Sequence, residues 1–114
     1  KAGHVTKIEA SSGQDILEHL VETDAGASSL GEVALVPDPS PISRSGIVFF
    51  NTLFDENASN HLALGSAYPF SIQDAGLNLS QIHVDFMMGS ADMNIDGIRA
   101  DGTKAPIFRN GDWA

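Results

Sequence analysis

FFNTLFDENASNHLALGSAYPF, residues 49–70, sets Asp55, Glu56, His61 and Tyr68 between two apolar edges. How it folds decides the architecture. From Asn51 or Thr52 the composition turns helical, Asp55 and Glu56 in a first turn suit the positive end of a helix dipole, and Gly65 suits a C-cap. The spacing therefore predicts a helix over 53–64, with Phe54, Ala58, His61, Leu62 and Gly65 on one face. His61 falls at the border of that buried stripe. Two readings of it stay open here: an ordinary histidine at the edge of a core, or a ligand in a metal-dependent site.

Working outward, GIVFFN just before this stretch reads as a β-branched and aromatic strand. It is separated from another short apolar strand, EVALV, by PDPSPIS, whose three prolines in five residues cannot sit inside a sheet. Upstream, SSGQDILEHLVE predicts a helix near residues 13–22, with Ser12 as N-cap, Asp15 as its capping-box partner and Ile16, Leu17, Leu20 and Val21 on one face. HVTKIEA before it alternates as a half-buried strand would. Downstream, QIHVDFMMG reads as a strand with His83, Asp85 and Met87 on one side. The tail carries Asp96-Gly97, Asp101-Gly102 and Asn110-Gly111, dipeptides suited to tight hairpin turns, so a small β-meander is expected. The expected fold class is α+β: a mixed or antiparallel sheet, two main helices and a C-terminal meander, in a single domain over residues 1–114.

Composition narrows the function. With 42% hydrophobic and 18% charged residues the chain has an ordinary globular balance, which argues against disorder. A net charge of −9, with six scattered Lys and Arg, supplies no basic footprint, so nucleic acid is not an expected partner. Cysteine is absent, which removes disulfides and thiolate metal sites; any metal must be held by His, Asp and Glu. No run approaches a membrane span and KAGHVTKIEA has no apolar signal segment, so a cytoplasmic chain without membrane association is expected. The chain begins without Met, within a strand-like alternation, as a piece of a longer polypeptide would.

His83-Val84-Asp85 is the sharpest local signal for chemistry. Two metal-capable side chains two positions apart on a strand point the same way, with Cα atoms about 6.5–7 Å apart. The alternative is the solvated polar face of an edge strand, although Met87 and Met88 are unusual successors on such a face. Glu32, after Gly31 at the start of a strand, is either a ligand or a solvated strand end. Tyr68, the only tyrosine, is either a packing residue or a catalytic phenol. No serine sits in a nucleophile elbow and no glycine-rich phosphate loop is present. Oxygen and imidazole ligation remains, which suits a hydrolytic zinc, cobalt or manganese site.

Four stretches taken together are more specific than any of these signals. LGEVALVPDPSPIS (30–43), FFNTLFDENASNHLALGSAYPF (49–70), HVDFMMGSADMNIDGI (83–98) and PIFRNGDWA (106–114), in this order, closely resemble the C-terminal part of the aminopeptidase T and aminopeptidase S family of metallopeptidases. The resemblance runs from about Val5 to Ala114. It implies an exopeptidase that removes N-terminal residues from peptides with two divalent metal ions, commonly as a homodimer. Position by position it implies Glu32, His61, His83 and Asp85 as metal ligands and Tyr68 as the active-site tyrosine that stabilises the tetrahedral intermediate.

The chain departs from the family pattern in three respects. A further glutamate ligand in a threonine- and glutamate-rich stretch has no match here, the family's N-terminal domain is missing, and the segment between Tyr68 and His83 lacks an acidic insertion near Gln73 and Asp74. The expected enzyme is thus the full-length parent, with this stretch inactive alone. The alternative is a non-catalytic metal-binding or dimerisation fragment.

Overall fold

A computed structural model describes residues 1–70 and 76–114. Among these, the elements run α1 (Gln14–Val21), β1 (Leu30–Ala34), α2 (Pro41–Ser45), α3 (Thr52–Asp55), a 3-10 turn over Glu56–Ala58, β2 (His61–Gly65), β3 (His83–Met87), β4 (Ile95–Ile98), β5 (Lys104–Arg109) and β6 (Asp112–Trp113). This is an α+β fold, as expected. β2 is the middle strand of a three-stranded sheet ordered β1-β2-β3, and β5 is the middle strand of a second, ordered β4-β5-β6. The chain divides into two compact units, Lys1–Val33 with Leu62–Asp85 and Ala34–His61 with Phe86–Ala114.

The helix expected over 53–64 is not formed: one turn of helix and a 3-10 turn give way to a strand. Asn51 caps α3, its side chain accepting from the Leu53 N–H at 3.1 Å. Asp55 folds back to accept from the N–H groups of Phe49 (2.9 Å) and Asn51 (3.1 Å), closing the turn on itself. Ser59 is then fully extended (φ −160°, ψ −173°). In a continuing helix the Asn60 carbonyl would serve residue 64, but it accepts instead from Met88 and Gly89, at 2.9 and 2.8 Å. Four of the five residues of β2 are buried, which is why HLALG is an unbroken apolar run without strand alternation. Gly65 ends this strand at φ 94°, where a Cβ would strike the Ile82 carbonyl.

Other local expectations also change. GIVFFN is not a strand: residues 47–49 have no regular structure, Val48 is exposed, and Phe50 takes a left-handed conformation (φ 54°). PDPSPIS carries the short α2, with Ser40 as its N-cap and Pro41 at its first position, where a missing N–H costs nothing. HVTKIEA contributes a single bridge, His4 with Ser29, and no strand. α1 forms where expected, but its cap position is Gly13 in a left-handed conformation, not Ser12, and Ile16 on the expected buried face is exposed. The meander is present. Asn110 (φ 52°) and Gly111 (φ 78°) form the two-residue turn between β5 and β6, as Asn-Gly favours. Asp96-Gly97 is not a turn: it lies within β4, next to a register shift at Ile95 and Asp96. The expected shortening near Gln73 and Asp74 lies outside the described residues.

In the first unit Ala27, Ala63 and Leu64 are the buried apolar residues, and in the second Phe108 is fully buried against Trp113. A polar hub accompanies the first set. Asp24 accepts from the N–H groups of Gly26 and Ala27 (2.9 Å each), the Gln81 N–H (2.8 Å) and the Ser80 hydroxyl (3.0 Å). The Gln81 N–H above all holds its carboxyl below the usual carboxylate range; burial opposes this, and the Ser80, Gly26 and Ala27 donors add to the lowering. A carboxylate of lowered pKa adds stability above its unfolded pKa and loses it as pH falls through the folded one. Asp24→Ala is therefore expected to lower stability at neutral pH, with the gap from the unsubstituted protein narrowing below about pH 4. Denaturant unfolding of both proteins across that range checks this; a gap that widens in acid would contradict it.

Candidate metal centre

β1 and β3 present the three side chains that converge. Glu32 is the third residue of β1, and His83 and Asp85 are the first and third residues of β3, on the one face that period-two alternation gives them. His83 Nε2 lies 3.4 Å from Glu32 Oε2 and 3.4 Å from Asp85 Oδ1. One ligand atom from each residue falls within 4.8 Å of the other two. All three side chains are mostly withdrawn from solvent, 17–24% exposed.

Two observations test whether this trio fits a metal ion. First, His83 Nδ1 sits 2.7 Å from the Ser66 carbonyl, and a carbonyl only accepts, so Nδ1 carries the proton. Nε2 then directs a lone pair at two carboxylate oxygens. Three electron-rich atoms this close repel one another, and a cation among them would relieve that repulsion. Second, Asp85 Oδ1 is buried and accepts no hydrogen bond among the described residues, its recorded polar contact being the 3.4 Å approach to His83 Nε2. An acceptor left bare in a protein interior is costly, and a coordinated ion removes that cost. The spacing agrees with the chemistry, because two N or O ligands about 2.1 Å from one tetrahedral ion lie about 3.4 Å apart. The carbonyl partner on the far nitrogen is also what metal-binding histidines usually have. The residues fit a divalent cation.

Tyr68 stands beside this trio. Its ring centroid is 5.0 Å from that of His83, tilted by 53°, and its other neighbour is Phe70, stacked at 5.4 Å. At 47% exposure its ring is open to solvent.

In the second unit His61 begins β2 rather than ending a helix, is 3% exposed, and has Nδ1 3.1 Å from the Ser59 carbonyl. A carbonyl only accepts, so Nδ1 carries the proton in that contact. Glu56, in the 3-10 turn, offers a carboxylate oxygen within 4.8 Å of a His61 ring nitrogen. In sequence alone Glu56 suits only the first turn of a helix. Its spacing from His61 would have suggested more had the intervening residues been read as a turn into a strand.

The family described as thermophilic metalloprotease (M29) matches residues 1–113. Aminopeptidase AmpS of Bacillus subtilis (strain 168) is 62% identical over 98% of this chain and 30% of its own length. Aminopeptidase T of Thermus thermophilus is 45% identical over 97% of the chain and 29% of its own length. The solved structure of wild-type AmpT from Thermus thermophilus matches with a TM-score of 0.87 and 46% identity, over 97% of this chain and 30% of that one. The chain thus spans about 30% of the length of these relatives.

Proposed function

Because the chain belongs to the thermophilic metalloprotease family, M29, we propose that it is the C-terminal part of a metal-dependent aminopeptidase, a domain that carries most of a two-metal site. The observation that carries this reading is the meeting of Glu32, His83 and Asp85, with a buried Asp85 oxygen that accepts no hydrogen bond among the described residues. The substrates we infer are peptides with a free N-terminus, the ions zinc, cobalt or manganese, and the assembly a homodimer.

When bound, such ions polarise a scissile carbonyl and bring the pKa of water towards neutrality. The chain's own residues hold and orient. Glu32 and Asp85 supply negative charge that offsets the ions, and His83 supplies Nε2 with its ring fixed from behind by the Ser66 carbonyl. His61, buried and with Nδ1 likewise occupied, supplies a fourth ligand in this proposal, which is supported by its place at the start of the strand between β1 and β3. Tyr68 donates its hydroxyl to the oxyanion that develops on the substrate.

Chelation tests the reading. The full-length enzyme should lose hydrolysis of aminoacyl chromogenic substrates on treatment with a strong chelator and regain it on addition of zinc, cobalt or manganese. Activity that survives complete metal removal would end it. Tyr68 separates transition-state work from metal holding: Tyr68→Phe should lower kcat by roughly 100-fold, the scale of one lost oxyanion donor, with metal content unchanged. A loss of metal equal to the loss of kcat would instead make the tyrosine a support of the site.

A further inference from the structure

Deepening the proposed function, and resting on its assignment of His83 as a ligand, we propose that Asn78 is a positioning residue for that histidine. It acts through the Ser66 carbonyl.

The ring of His83 is oriented by one hydrogen bond, Nδ1 to the Ser66 oxygen. What holds that oxygen in place is therefore what aims Nε2. Ser66 donates its N–H to the Ile82 carbonyl at 2.6 Å, and Ala67 donates to the Asn78 carbonyl at 2.9 Å. The peptide that carries the Ser66 oxygen is thus pinned on both sides to the segment 78–82. That segment is in turn held by the Asn78 side chain. Its Nδ2 donates to the carbonyls of Gly26 (2.8 Å) and Ser29 (3.3 Å), and its Oδ1 accepts from the Ser80 N–H at 3.0 Å. One amide group thereby joins the 26–29 turn to the strand entry that leads into His83.

Two further features support a built arrangement. The Asp24 carboxylate grips the same segment from beyond Asn78, through Ser80 and Gln81. Gly26 leaves the space in which the amide sits: a Cβ there would collide with Asn78 Oδ1 and come within 3.1 Å of Ser80 Cβ. No recorded hydrogen bond joins Asn78 or Gly26 to the three ligand residues; the recorded link to the His83 ring runs from Asn78 through the Ala67 N–H to the peptide of the Ser66 carbonyl. Outer partners of metal-binding histidines typically change affinity or activity by about 10–100-fold when removed.

The test uses the full-length enzyme with Asn78→Ala and, separately, Gly26→Ala, which displaces the amide without deleting it. In metal-free protein, imidazole 15N NMR should show the His83 Nδ1 proton as a protected resonance, and both variants should broaden or shift it. On loading with cobalt, both should move the visible absorption bands and lower kcat about tenfold or more, with KM within about twofold. The double variant should lose no more than the worse single one, because both changes break the same contact. Should Asn78→Ala not fold, Gly26→Ala and the milder Asn78→Ser carry the same readouts. An unchanged Nδ1 resonance together with unchanged cobalt bands in the folded variants overturns the proposal. His83→Ala with intact cobalt binding would instead overturn the ligand assignment on which it rests, so the two failures are distinguishable.

Discussion

Replacing His83 with Ala in the full-length enzyme is expected to strip metal from the site and lower kcat/KM by at least about 1,000-fold. The argument is one of scale. Loss of an outer partner alone commonly costs about 10–100-fold, and His83 in the proposed reading is a ligand itself, with Nε2 3.4 Å from a carboxylate oxygen of both Glu32 and Asp85. Its removal leaves only the Glu32 and Asp85 carboxylates of this trio to hold a cation. A factor of 1,000 corresponds to about 4 kcal/mol of barrier. Elemental analysis for bound metal, with steady-state kinetics on an aminoacyl substrate, checks both halves. A His83→Ala enzyme that keeps its metal and its turnover would remove this residue from the site.

The largest effect on stability should come from Phe108→Ala, which we expect to cost about 3–5 kcal/mol. Phe108 is fully buried, sits on the middle strand of the β4-β5-β6 sheet opposite Ile95 and Trp113, and packs edge-on against the Trp113 ring at 4.5 Å. Truncation removes apolar area and leaves a cavity whose walls are backbone-paired strands that cannot easily collapse. Aromatic contact beyond simple burial adds to the loss. Against a typical total of about 5–15 kcal/mol, such a change threatens folding outright. Urea unfolding of the full-length protein, followed by the fluorescence of Trp113, the only tryptophan of this chain, measures it. A loss below about 1 kcal/mol would mean that this sheet does not depend on its buried ring. Phe108→Leu, which refills most of the volume, should cost clearly less.

Part of this molecule was legible in the sequence because it depends on neighbours in the chain. Asn110-Gly111 makes its turn because both residues adopt positive φ at little cost, and no distant contact is needed to choose it. His83 and Asp85 share a face because strand side chains alternate, so once that segment is a strand their convergence follows. The helical span of α1 is equally local. The Glu32, His61, Tyr68 assignments came from resemblance of long stretches and not from any spacing rule.

What the chain could not announce by itself was decided by hydrogen-bond partners far away in sequence. HLALG satisfies helical propensity and spacing as well as it satisfies a buried strand, and periodicity cannot separate the two in so short an apolar run. The choice falls to the strand because the carbonyl of Asn60 is taken by Met88 and Gly89, and the Gly65 N–H by Ser29, leaving none for a helix. GIVFFN has the composition of a strand but no described sheet takes it up, so its backbone stays irregular. The same holds for the site. Nothing local puts Glu32 against His83; the pairing of strands does, and with it the buried oxygen of Asp85 that accepts no hydrogen bond among the described residues. Sequence determines which atoms are able to bind a metal, whereas only the tertiary structure brings them within one ion's reach, because side-chain direction is a local property and distance across a sheet is not.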